Sequence, residues 1–206
     1  MNFTICDENK VFPYLIVDDF YSKDEEKLIW EELLFHNDNF KIDDITNNDG
    51  VAKSKDNKPL ANAKRIYLDD MYYDDRGSSS ILKCSRKIIS QDIKELYRKT
   101  TPSWKTFEIT NRDYSLVSYY ENEQYYKEHF DSFMHSALVW FYKEPKRFSG
   151  GDLTFTESNQ TIECKHNRMI LFPSFYLHEV NQVKMDYKYT ENRCGRYCMA
   201  HFFKKD

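Results

Sequence analysis

The chain has 206 residues, 40% of them hydrophobic and 17% aromatic, with a net charge of −4 at neutral pH. That is enough apolar material for one sizeable core without disulfides, and too little length for two comfortable ones. The charge balance lacks the basic footprint of a nucleic-acid binder, no run reaches membrane-span length, and the start “MNFTICDENK” lacks the features of a secretory signal. The five cysteines, Cys6, Cys84, Cys164, Cys194 and Cys198, are odd in number and contain no CxxC pair. Reduced thiols in a cytoplasmic protein are therefore expected, rather than a disulfide framework or a zinc site.

“VFPYLIVDDF” reads as a strand, with Val11, Leu15, Ile16 and Val17 closing on Asp18 and Asp19. Ser22 followed by Glu25 is a capping box, so a helix is predicted to start there, with Leu28, Ile29, Leu33 and Phe35 as its apolar face. Residues 37–63 are polar and aperiodic and read as a long loop, and the wider 37–77 region is the segment expected to meet substrate. Ile81, Leu82, Ile88, Ile89, Ile93, Leu96 and Tyr97 recur at helical spacing and predict one helix over 78–100. From residue 103 the texture changes to short, often alternating runs split by turn residues, from “SWKTFEITNRDYSLVSYYE” to “GRYCMAHFF”. Such spacing suggests a sandwich or barrel. A single domain over 1–206 is expected, with a helical support and loop region (1–102) leaning on a β core (103–206).

Within “YYKEHFDS”, His129 and Asp131 are two apart and share a face if the run is a strand. Such a pair is either a buried hydrogen-bonded couple or two ligands awaiting a third. His178, at the head of a later strand, is the candidate third, and Arg196 heads the last one. Two imidazoles and one carboxylate facing open positions suit a non-haem Fe(II) centre. A buried arginine nearby suits a co-substrate carboxylate, which its fork binds through both oxygens.

In this order, Tyr119, Tyr126, “HFD” at 129–131, “FSGGDLTF” at 148–155, “NRMILFPS” at 167–174, “HEV” at 178–180 and “GRY” at 195–197 resemble the Fe(II)/2-oxoglutarate-dependent dioxygenases, specifically the prolyl 4-hydroxylase-like branch. The resemblance spans roughly residues 115–205, and “FPYLIVDDFYS” with its capped helix resembles the start of such enzymes. It implies an α+β fold: a double-stranded β-helix (jelly-roll, cupin-like) barrel with supporting N-terminal helices. It also implies iron ligation by His129, Asp131 and His178, with Arg196 binding the distal carboxylate of 2-oxoglutarate and Tyr119 lining that pocket. Lys188 is the rival anchor, ten residues after His178 where the family usually places it, but it lacks the preceding glycine and following alternating strand of Arg196. Phe141 stands where relatives carry a tyrosine that touches the co-substrate.

The implied reaction is hydroxylation of an unactivated C–H bond with Fe(II), 2-oxoglutarate and O2, ascorbate being an accessory reductant to consider. Succinate and CO2 would be released. The expected substrate is a prolyl residue of a peptide or protein, with a free amino acid or other small molecule as the alternative; no nucleic acid or membrane partner is expected. Two other readings stay open: a catalytically silent ligand- or partner-binding module, and a zinc hydrolase using the same three side chains. Of the remaining histidines, His135 reads as surface or loop, His36 and His166 as solvated, and His201 as facing away from the pocket. Gly150–Gly151 reads as a tight turn. Tyr125 and Phe130 should pack against neighbouring layers, and the acidic pairs Asp43–Asp44, Asp69–Asp70 and Asp74–Asp75 read as surface that could attract a basic substrate segment.

Overall fold

Two antiparallel strands, β1 (Asn2–Cys6) and β2 (Tyr14–Asp18), begin the chain in the computed structural model, which describes residues 2–6, 12–42, 51–102 and 104–206. The strand start at Val11 and the acidic pair Asp43–Asp44 lie outside those residues. Helix α1 (Lys23–Phe35) starts where its capping box requires: the Ser22 hydroxyl accepts from Glu25 N, and the Glu25 carboxylate accepts from Ser22 N at 2.7 Å. Ile29 and Leu33 are buried beneath it, each worth about 1.5–3 kcal/mol of apolar transfer. Leu28 and Phe35, expected on the same face, are exposed instead. Leu28 precedes the buried Ile29 by one residue, about 100° round the helix, and Phe35 is the last residue of the helix.

The 37–63 stretch expected to be a loop carries the short β3 (Lys41–Ile42), and β4 (Lys64–Tyr67) and α2 (Leu68–Met71) follow within the wider 37–77 region. The expected helix over 78–100 is broken into α3 (Ser80–Ser85), a 3-10 turn at Arg86–Ile89, and α4 (Gln91–Arg98). Ser79 and Ser90 are the reason: each hydroxyl caps a new helix start, accepting from Leu82 N at 3.0 Å and Ile93 N at 3.5 Å. “WKTFE”, expected as strand, forms α5 (Trp104–Glu108), which seats Phe107 edge-on against Tyr97, His135 and Phe203.

Strands then dominate: β5 (Arg112–Tyr120), β6 (Tyr126–His129), β7 (His135–Phe141), β8 (Phe148–Ser149), β9 (Leu153–Phe155), β10 (Gln160–Ile162), β11 (Arg168–Pro173), β12 (His178–Val180), β13 (Lys184–Met185) and β14 (Arg196–Lys204). An eight-stranded antiparallel sheet runs β1-β2-β11-β7-β14-β5-β4-β3, and a four-stranded one runs β10-β9-β12-β6. The N-terminal part is thus more than helical support, since β1–β4 are half of the large sheet.

Alternation on the large sheet sorts its side chains onto two buried faces. Leu15, Val17, Val117, Val139 and Met199 meet helical residues such as Ile29, Leu33, Ile81 and Ile93. Ile16, Leu116, Leu138, Ile170 and Ala200 meet Leu153, Phe155 and Val180 of the small sheet. The two facing sheets form the jelly-roll barrel with helices on its outer side, in agreement with the expected fold. Among the described residues no helix is long and apolar enough to cross a membrane.

Two histidines lie under the helical layer. His135, expected at the surface, is buried on β7, hydrogen-bonded to Tyr97 Oη at 3.0 Å and Thr106 Oγ1 at 2.7 Å. His201 is buried beside Ser115 Oγ at 2.8 Å, and it faces away from the inter-sheet space as expected. Burial pushes both imidazoles down to about 4. The unfolded chain takes up these protons near pH 6.5, whereas the folded one resists them until about pH 4. The unfolded state therefore binds more protons in that window, and stability falls as pH falls through it. The upper limit is about 3 kcal/mol per histidine. Urea unfolding between pH 7 and pH 5 is expected to show a shallower pH slope for His135→Gln than for the wild-type protein. An unchanged slope would remove His135 from the account.

Candidate metal centre

His129 ends β6 and His178 begins β12, and the two are directly paired across the small sheet. Asp131 lies just past the end of β6, so its placement owes nothing to strand alternation. Its backbone N–H donates to Ser174 O at 3.0 Å, which folds the carboxylate back toward the two imidazoles. Asp131 Oδ1 is 3.7 Å from His129 Nε2, and Oδ2 is 3.7 Å from His178 Nε2. One ligand atom from each residue lies within 4.8 Å of the others.

The supporting contacts fix both rings. Nδ1 of His129 faces Lys127 O and Nδ1 of His178 faces Tyr176 O, each at 2.8 Å. A carbonyl only accepts, so both Nδ1 atoms carry a proton, and both Nε2 atoms are turned to the space shared with Asp131. The Tyr126 ring stacks on His129 at 3.5 Å between centroids, and Phe172 meets His178 edge-on at 5.2 Å. Burial, with His178 close by, holds His129 well below its usual range, so it stands as a neutral donor. Burial raises the Asp131 carboxyl, opposed by His178 and by the Ser136 hydroxyl, which donates at 2.5 Å. Two imidazoles and a carboxylate on one side of a buried space are a donor set that could hold a divalent cation with positions left open. Ser136, itself 2.7 Å from Ser174 Oγ, orients the carboxylate. Ser136→Ala is expected to weaken divalent-metal binding about 10- to 100-fold by titration, with the fold kept.

Arg196 is fully buried on the same inner face, and its Nε, Nη1 and Nη2 have no hydrogen-bond partner among the described residues. The guanidinium lies over Tyr120 at 4.8 Å and Trp140 at 5.7 Å, with Cys198 and Ala200 following on its face. Gly151, at φ +73°, passes so close that a Cβ there would stand 2.7 Å from Arg196 Cδ. The turn at Gly150–Gly151 is as expected, with both residues at positive φ, and the second also admits the arginine. A buried, unpaired guanidinium is costly unless an anion completes it. Its chemistry therefore fits the carboxylate of a bound co-substrate. Lys188, by contrast, is exposed and ion-paired with Asp186 at 2.9 Å.

Several expected placements are corrected. Tyr119 points to the helical side with Phe40 and Tyr197, its hydroxyl accepting from Gly195 N at 3.2 Å; Tyr120, opposite Arg196 in register, stands against the guanidinium instead. Phe141 also faces the helices, against Tyr21 and Trp30, and Trp140 takes the inner face. Phe130 is exposed and Tyr125 half-buried, because the chain leaves the sheet beside them. His36 is buried against Tyr72 Oη at 2.7 Å, and His166 is half-buried. Asp69 is committed to Arg76 and to Ser115 N, so it is structural; Asp70, Asp74 and Asp75 are exposed. Cys84, Cys164, Cys194 and Cys198 are free thiols. The aromatic doublets “YY” and “WF” were the only sequence signal for Tyr120 and Trp140.

Residues 115–204 match the model of the 2OG-Fe(II) oxygenase superfamily. Comparison with curated protein sequences finds no match. Among solved structures, a Pseudomonas putida prolyl-4-hydroxylase is similar with a TM-score of 0.60 at 14% identity, covering 97% of this chain and 96% of that one. A prolyl hydroxylase from Trichoplax adhaerens, in complex with a hypoxia inducible factor peptide fragment, aligns at 0.61 and 15% identity, covering 93% and 83%. The viral collagen prolyl hydroxylase of Paramecium bursaria Chlorella virus 1, as its 2-oxoglutarate complex, aligns at 0.54 and 15%, covering 97% and 98%. The family uses Fe(II), 2-oxoglutarate and O2. The barrel segment thus matches the 2OG-Fe(II) oxygenase superfamily model, and the whole chain shares the fold of these prolyl hydroxylases.

Proposed function

We propose that this dioxygenase hydroxylates a prolyl residue of a peptide or protein, releasing succinate and CO2. The carrying observation is the His129–Asp131–His178 cluster sharing the inter-sheet space with the unpaired Arg196 guanidinium. In this reading His129 and His178 hold Fe(II) through Nε2 and Asp131 through its carboxylate, while Arg196 takes the distal carboxylate of 2-oxoglutarate. The bound iron, with 2-oxoglutarate and O2, supplies the oxidant for the C–H bond. The chain's own part is positional. Lys127 O and Tyr176 O keep both imidazoles in the donor tautomer, and Ser136 fixes the carboxylate. Trp140 and Tyr120 cover the buried guanidinium. The prolyl assignment is supported by the neighbouring structures, which are named as prolyl hydroxylases, one of them with a peptide bound.

The test is incubation with Fe(II), 2-oxoglutarate and proline-containing peptides, reading peptide mass and succinate. A gain of one oxygen on proline, with peptide-stimulated succinate, is expected. Oxygen gained by a free amino acid and by no peptide would overturn the peptide assignment, and absence of both products would overturn the activity.

A further inference from the structure

Beside Arg196 in the inter-sheet space lies another unsatisfied buried donor: Nε1 of Trp140 is shut off from solvent with no hydrogen-bond partner among the described residues. Trp140 is fully buried on β7, the strand next to β14, and is paired in register with Cys198, two residues from Arg196 on the same inner face. The indole ring and the guanidinium are already neighbours, with 5.7 Å from the Arg196 Cζ to the ring centre. A buried N–H without an acceptor is unfavourable, and a site needing only apolar bulk would be served by phenylalanine. Cys198 is the adjacent protein group, and a thiol is a weak acceptor. Phe141, the neighbouring ring, is turned to the helices and offers no donor here.

We propose that the Trp140 indole N–H is a second donor to the distal carboxylate of 2-oxoglutarate, working with Arg196 to select a 2-oxo diacid over a 2-oxo monoacid. The inference rests on the reading of Arg196 as the co-substrate anchor. The arginine fork takes two lone pairs of the carboxylate, and each oxygen keeps another for the indole. Trp140→Phe deletes the donor while keeping a ring against the guanidinium.

Binding is measured by calorimetry on Zn(II)-loaded protein, with 2-oxoglutarate and with 2-oxopentanoate, in which a methyl group replaces the distal carboxylate. Trp140→Phe is expected to weaken 2-oxoglutarate by about tenfold or more and leave 2-oxopentanoate unchanged. In the wild-type protein, the Trp140 indole N–H resonance should move downfield with 2-oxoglutarate and stay in place with 2-oxopentanoate, which needs no variant to fold. Equal losses for both ligands, or none, together with an unmoved resonance, would overturn the role of Trp140 alone. A wild-type protein that binds no 2-oxoglutarate would overturn the anchor reading and this inference with it.

Discussion

Replacing His178 by alanine is expected to cost about 100-fold or more in Fe(II) affinity and to abolish turnover. The side chain is one of three clustered donors, and its Nε2 stands 3.7 Å from Asp131 Oδ2. Ligand loss should exceed the 10- to 100-fold typical of an orienting partner. The backbone of β12 stays paired to β6 and β9, so the sheet should survive. His135→Gln is the informative control, since His135 is just as buried but lies under the helices with both ring nitrogens satisfied. Fe(II) titration by calorimetry reads the affinity. Thermal unfolding reads the linkage, a metal at 100 times its wild-type Kd adding about 2.7 kcal/mol of stability to the wild-type protein and about 0.4 kcal/mol or less to the variant. Wild-type affinity in His178→Ala would sink the metal centre.

The second large effect is expected at Arg196, and its sign differs between binding and stability. Arg196→Met should lose about 2–5 kcal/mol of 2-oxoglutarate binding, because a buried charge pair is truncated on one side. The same change should leave the ligand-free protein as stable or more stable, by up to about 4 kcal/mol, because an unpaired buried cation gives way to an apolar chain of similar length. Lys188→Met should do neither, since that side chain is exposed and its partners are the neighbouring Asp186 and Tyr189. Equilibrium binding and urea unfolding on the same two variants check all four outcomes. A loss of 2-oxoglutarate binding in Lys188→Met but not in Arg196→Met would transfer the anchor to Lys188.

Much of the site was legible because its residues carry local rules. Ser22 and Glu25 announced a helix start through side-chain reach alone. The inward set Arg196, Cys198, Ala200 and Phe202 followed from strand period on β14. The errors have a common cause. β5 and β7 are covered by helices on one face and by the small sheet on the other, so both phases of the strand are apolar or aromatic and alternation vanishes. In “SYYE” and “VWFY” either residue of each doublet reads equally well as inward, and a slip of one position flips the face. Tyr119 and Phe141 were misplaced for that reason. His135 was misread because neighbouring sequence says nothing of Tyr97 and Thr106, which reach it from two separate helices.

By itself the sequence determined the order of the elements that matter, the His–Asp–His donor set and the arginine on the last strand, because residue type, spacing and strand period are local properties. Only the tertiary structure decided that His129 and His178 face each other across β6 and β12, that Asp131 is folded back by Ser174 and held by Ser136, and that Tyr120 and Trp140 rather than Tyr119 and Phe141 flank Arg196. Those outcomes depend on which strands pair and in which register, and on which layer covers each face. They are set by burial summed over the whole barrel and not by any one segment.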